Sequence, residues 1–303
     1  MIESIINTQG VDEAAVVLVQ AAYEETASSR KGTTNGPKAI VEILSSKLEL
    51  FDRTYKTRPT DKIKIGTLNL GDLNTLSPEE ALLKIKTDCE KLINQDKFLV
   101  LLGGEQSVSL GLLQALAQKI NPKEVTIVQI DAHCDLRDTD ADYSETPSSL
   151  AHSCTLRRAH ELGYNLVQVG IRTYYIDEYN YFSDPKNNIK VFEWGNPASA
   201  LGTGWKAPSI DEILESIKTK FVYLTIDVDG FDPAHMPGTG TAVQGGLEWW
   251  YGLNLIEKII DQKELIGADI VEVSPMQDSI LTEYGAAQIC YTMIAHKFKS
   301  KLL

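Results

Sequence analysis

Short runs of apolar, β-branched residues alternate with stretches of helical period along the whole chain. The candidate strands are AAVVLV (14–19), KIKIGTL (62–68), FLVLL (98–102), VTIVQI (125–130), LVQVGI (166–171), IKVFEW (189–194), FVYLTI (221–226) and ADIVEV (268–273), which makes about eight. Between them lie helices with readable starts. SPEEALLKIKTDCEKLINQ has Ser77 at the N-cap, Pro78 at N1 and Glu80 completing a capping box, and SIDEILESIKTK repeats the device with Ser209 and Glu212. Strands and helices alternating in this way predict an α/β fold, a parallel sheet with helices on both faces. No internal repeat, low-complexity tract or Pro/Gly-rich linker breaks the pattern, so residues 1–303 are read as a single domain.

Composition narrows the partners. Hydrophobic residues make up 43% of the chain, enough for a large core. Lys+Arg 29 against Asp+Glu 42 leaves a formal net charge of −13. No basic footprint exists to neutralise phosphates, which argues against nucleic acid or an anionic membrane and suits a small cationic ligand. Cys89, Cys134, Cys154 and Cys290 are scattered without CxxC spacing and read as reduced thiols. The opening MIESIINTQGVDEAAVVLVQ has no basic stretch ahead of its apolar run, and no apolar segment approaches the ~20 residues needed to span a bilayer. A soluble, cytoplasmic protein is expected.

The chemistry gathers at strand ends, where open α/β sheets place their sites. Directly after VTIVQI comes DAHCDLRD, with Asp131, His133 and Asp135 at alternate positions. In extended chain these three side chains share a face. Directly after FVYLTI comes DVDGFD, where Asp227 and Asp229 repeat the spacing and Asp232 follows. Carboxylates crowded at buried strand ends are very costly unless a cation sits among them. Four aspartates and one histidine, hard oxygens with a borderline nitrogen, suit a pair of Mn²⁺-like ions better than a structural zinc cage. Two divalent ions would cancel the four negative charges, and a water held between them would lose a proton near neutral pH.

A series of motifs, in order along nearly the whole chain, resembles the arginase/agmatinase/formiminoglutamase group of ureohydrolases. They are the entry YEETASSRKGTTNGPKAI (23–40), LLGGEQS for a GGDHS-type motif, DAHCDLR, AHSCTLRRAHE, TIDVDGFDPAHMPGTGT and DIVEVSP. The resemblance implies a three-layer α/β/α sandwich around an eight-stranded parallel sheet, and a binuclear manganese hydrolase that releases urea from a guanidino compound. It implies that Asp131 and Asp227 bridge both ions, that Asp135 binds the first, and that His133 and Asp229 bind the second. His152 would shuttle a proton near the leaving amine, and Glu272 would face the amino groups of the guanidinium. Homo-trimers or homo-hexamers are implied as well. His160 and His296 are expected on helices, His160 on a solvated side, and His235 in a structural part near the metal motif.

Within the group the entry segment, LRRAHELG and VQVGIR most resemble the agmatinases. The loop LRDTDADYSETPSSLAH carries Asp138, Asp140, Asp142 and Glu145 against Arg137 alone. Such a loop would repel the carboxylate of arginine, guanidinobutyrate or formiminoglutamate and accept the distal ammonium of agmatine, giving putrescine and urea. The chain departs from the group at Gln106, which stands where the pattern has a histidine on the first metal; Glu105 fits the acid before it. An amide oxygen is a neutral but weaker ligand on a more mobile stem. Three outcomes stay open: an active enzyme with a loose first site, a slow enzyme holding only the second ion, or a homologue kept for binding or regulation.

Overall fold

The computed structural model describes residues 4–8, 10–195 and 205–303. Its centre is one sheet of eight parallel strands: β1 (Val16–Ala22), β2 (Ile65–Asp72), β3 (Phe98–Gly103), β4 (Val125–Ile130), β5 (Asn165–Ile171), β6 (Lys190–Glu193), β7 (Phe221–Asp227) and β8 (Glu264–Val271). Each falls on one of the eight apolar runs, with ends shifted by a few residues. The helices are α1 (Gly36–Ser46), α2 (Pro78–Ile93), α3 (Val108–Leu116), α4 (Thr155–Glu161), α5 (Ile176–Ser183), α6 (Ile210–Ser216), α7 (Trp249–Gln262), α8 (Leu281–Lys297) and the short α9 (Lys299–Leu302). Both expected capping boxes form: the Ser77 hydroxyl accepts from the Glu80 amide at the start of α2, and Ser209 does the same with Glu212 at α6.

Parallel strands have both faces covered, and the side chains of β1 show how. Val16 and Leu18 join a core with residues of α1, α6, α7 and α8, whereas Val17, Val19 and Ala21 join a second core with residues of α2, α3 and α4. Two apolar layers on opposite faces of one sheet make the three-layer α/β/α sandwich. Among the described residues no helix is long and apolar enough to cross a membrane. All four cysteines are buried and free.

The strand order is β2-β1-β3-β8-β7-β4-β5-β6. The connection from β3 to β4 therefore leaves a gap of two strands that β7 and β8 later fill. Such a reversal opens a crevice at the carboxyl ends of the strands, and the chain puts its polar residues there.

Candidate active site

Four neighbouring strands end around this crevice. Gln106 follows β3, Glu272 follows β8, Asp227 closes β7 and Asp131 follows β4. Close backbone approach makes the convergence possible. A Cβ on Gly230 would lie 2.6 Å from the Asp131 amide nitrogen, and one on Gly104 would lie 2.0 Å from the Tyr23 carbonyl oxygen. Arg172, just beyond β5, holds the loops together. Its guanidinium donates to the carbonyls of Gly170 at 2.9 Å, Asp229 at 2.6 Å and Val243 at 2.7 Å.

Asp131, His133 and Asp229 form a compact group whose candidate ligand atoms all lie within 4.8 Å of one another. His133 Nδ1 stands 3.0 Å from Asp229 Oδ2 and 3.6 Å from Asp131 Oδ1. The carboxylates are pinned from behind. Asp131 accepts from the His133 amide and from Gln129 Nε2, both at 2.6 Å, and Gln129 is itself held by Gln168. Asp229 accepts from the Ala132 amide at 3.0 Å, and Asp227 accepts from the Asp229 amide at 2.8 Å.

Alternating side chains explain only part of this arrangement. Asp131 and His133 flank a bend at Ala132 just past the end of β4, and Asp135 takes φ 52°, a left-handed backbone that interrupts the period of two. Asp135 stays outside the compact group yet lines the same cavity as His133. Residues 228–230 form a 3₁₀ turn, so Asp227 and Asp229 converge through a turn and not along one strand face. Glu272 also sits at positive φ, 63°. Strained backbone in non-glycine residues collects at functional sites.

The electrostatics are those of a centre awaiting cations. Burial, then the neighbouring carboxylates, pushes Asp131, Asp135 and Asp227 upward. Burial works the same way on Asp229, but the adjacent His133 outweighs it and leaves that group low. For His133 burial opposes the charge, and Asp229 and Asp131 overcome it.

Gln106 is fully buried, and its amide is oriented by a relay. Burial raises Asp269 to about 6, so near neutral pH it is ionised and only accepts. It accepts from Tyr223 Oη at 2.5 Å and from Thr225 Oγ1 at 2.7 Å. Thr225 has thus donated its one proton and accepts from Gln106 Nε2 at 3.1 Å. The Gln106 Oε1 atom is left buried without a hydrogen-bond partner among the described residues, which is an opening for a cation. Carboxylates, an imidazole and an amide oxygen suit an Mn²⁺-class ion, so the residues present fit a divalent centre.

His152 and Glu272 stand beside this group. Glu272 Oε1 accepts from the Gln106 backbone N–H at 2.9 Å and lies 3.6 Å from His152 Nδ1. The His152 amide donates to Thr26 Oγ1, whose hydroxyl donates to Glu105 at 2.5 Å. Burial disfavours protonated His152, but Glu272 and Glu105 reverse the balance and raise it. Its Nε2 is buried and unpartnered among the described residues. A cavity of about 270 Å³ is lined by His133, Asp135, Asp227 and His152, and on its other walls by Arg137, Tyr143, Tyr175 and Glu178.

The sequence and the fold are matched by known proteins. Residues 14–295 match the model of the arginase family. The chain belongs to that family. It is 35% identical over 288 residues to an N(1)-aminopropylagmatine ureohydrolase of Synechocystis sp., covering 94% of this chain and 89% of that one. It is 32% identical over 270 residues to an agmatinase of Bacillus cereus, covering 88% and 86%. The crystal structure of an agmatine ureohydrolase of Thermoplasma volcanium superposes with a TM-score of 0.79 at 28% identity, covering 98% of this chain and 94% of that one. As an arginase-family hydrolase the chain is related to enzymes acting on small guanidino compounds.

Some residues around this arginase-family site were given no role by the motifs. Thr225 and Asp269 open the motifs TIDVDGFDPAHMPGTGT and DIVEVSP, yet nothing in the spacing assigns them a part, although a buried charge inside an apolar strand needs a partner. Glu178, 4% exposed, accepts from the Leu136 amide and caps α5, yet it lines the cavity. The acidic loop is less available than its composition suggests. Asp138 pairs with Arg158, Asp140 accepts from the Ser148 amide, and Asp142 pairs with Arg137. His160 is half-buried, its ring bonded to Tyr181 Oη and the Asn187 carbonyl. His296 is buried, 3.3 Å from Asp261, and His235 does not line the cavity.

Proposed function

We propose that this chain hydrolyses agmatine to putrescine and urea at a two-ion manganese centre. The ligands would be Gln106, Asp131, His133, Asp135, Asp227 and Asp229, with His152 and Glu272 as the catalytic pair. The observation that carries the reading is the meeting of Asp131, His133 and Asp229 within 4.8 Å, beside a cavity that also exposes His152. When bound, a divalent pair would supply an activated water for attack on a carbon that resonance makes a poor electrophile.

The remaining steps belong to the chain. Glu272, fixed by the Gln106 backbone N–H, offers a carboxylate that orients the guanidinium. As the carbon gains its oxygen and the bond to the alkyl nitrogen breaks, that nitrogen takes a proton, and His152, which Glu272 and Glu105 shift upward, is the group that would give it. Urea and a primary amine leave. A cationic tail is supported by Glu178 in the cavity wall and by the pairing of Arg137, which removes the obvious seat for a carboxylate. N(1)-aminopropylagmatine is the second substrate reading, favoured by the relative at 35% identity.

The test is urea released from agmatine across a manganese titration, with Gln106→His beside the native chain. Turnover by both, with the variant needing roughly 10–100-fold less manganese, is the expected result. A native chain silent at saturating manganese, beside an active variant, would replace this reading with that of a binding or regulatory homologue.

A further inference from the structure

The wall of the active-site cavity holds a cation of the protein's own. The Arg137 guanidinium lies over the Tyr175 ring, 4.8 Å from its centroid, and over the Tyr143 ring at 5.3 Å. It is hydrogen-bonded to Asp142, and its Nε lies 3.9 Å from Glu178 Oε2. Arg137 and Tyr175 also line a neighbouring cavity of about 390 Å³, whose other walls include Asp138, Asp142 and Asp177. Arg137 is therefore a partition. Glu178 meets it from the active-site side and Asp142 from the far side.

We propose that the Arg137–Asp142 pair determines specificity by reading the charge on the tail of the guanidino substrate. The proposal rests on the reading of the chain as a guanidino hydrolase and goes on to name what selects the tail. Two carboxylates and one guanidinium leave the wall with one net negative charge, so a tail ammonium is favoured. Arg137 is the natural partner of a carboxylate tail, being planar and able to bind in two-pronged fashion. Asp142 occupies it. The two tyrosine rings hold the guanidinium flat and keep it from swinging into the crevice.

Opposite variants of one pair give opposite predictions. Asp142→Asn frees Arg137 and neutralises the wall, so the preference for agmatine over 4-guanidinobutyrate falls by roughly tenfold or more, about 1.4 kcal/mol. Arg137→Leu leaves two carboxylates and raises the same ratio by roughly tenfold. Arg137→Lys keeps the charge and holds the ratio near the native value. The ratio is measured twice, from kcat/KM for urea release and from calorimetric Kd values for the two compounds on manganese-loaded protein. A ratio that stays constant in both Asp142→Asn and Arg137→Leu overturns the proposal, because a merely structural pair would weaken both ligands equally. Binding of neither compound overturns it as well. Binding whose ratio moves as described, with no urea released, upholds the tail reader and removes the hydrolase reading.

Discussion

The two halves of the candidate metal centre are built in different ways. Asp131 and Asp229 are fixed by backbone amides at the end of β4, those of His133 and Ala132, and the imidazole closes directly on both carboxylates. The other half depends on Gln106, whose donor atom is set at one remove by Thr225 and at two by Asp269. An imidazole has one geometry once its ring is placed. An amide presents an oxygen or a nitrogen depending on which way it turns, so its second partner decides whether it is a ligand at all. The chain has a strong half whose carboxylates are pinned by backbone amides and a weak half whose donor atom depends on a chain of side chains.

The largest effect should come from breaking the strong half. Asp229→Asn keeps the shape and the Ala132 bond but removes the charge that holds His133 and would hold an ion. Urea release should fall by about 10³-fold, the equivalent of about 4 kcal/mol on the barrier, and metal content after dialysis should drop. Retention of both in the purified variant would show that this half is not the anchor of the centre.

A smaller effect should follow from turning the weak half. Thr225→Val deletes the acceptor for Gln106 Nε2 without touching any proposed ligand, and leaves the Gln106 amide free to rotate. Manganese affinity of one site should weaken by roughly 10-fold, a typical result when a ligand loses its orienting partner. Thr225→Ser, which keeps the hydroxyl, should restore it. The readout is manganese stoichiometry by electron paramagnetic resonance together with the manganese dependence of urea release. Equal loss in both variants would mean that the threonine methyl group, and not the relay, is what matters.

The contrast also explains what was legible in the sequence. The eight strands and the two capping boxes show because burial on both faces and local capping leave their mark in consecutive residues. Asp131, His133, Asp135, Asp227 and Asp229 show because their spacing is local. The contacts of the relay do not, although Gln106, Thr225 and Asp269 all stand within the motifs: they come from the end of β3, from β7 and from β8, and only the strand order makes them neighbours. The tail wall was half visible. The acidic loop could be read, but which acids face the cavity depended on Arg158 taking Asp138 and Arg137 taking Asp142. Glu178 was hidden behind Tyr175, an N-cap residue that no capping rule favours.

The smallest effect is one of pH, and it distinguishes an empty centre from a filled one. Burial raises Glu105 from 4.5 to about 7, and Asp131, Asp135 and Asp227 also shift upward, as do His133 and His152. Each of these groups binds more protons folded than unfolded between its unfolded and folded pKa. The slope of unfolding free energy with pH is therefore negative across that window. The carboxyl groups begin to lose stability above about pH 4, and the histidines add to the loss above their ordinary value of 6.5. Asp229, shifted down, acts only below the usual carboxylate range and does not offset this loss. Metal-free protein should thus lose roughly 5 °C of Tm between about pH 5 and about pH 8. With manganese the slope should reverse, because ions and protons compete for the same oxygens and rising pH strengthens the ions' hold. Scanning calorimetry with and without chelator measures both slopes. A metal-free slope that is flat or positive would mean that the buried carboxylates are satisfied by the protein alone, and the case for cations at the strong half would weaken with it.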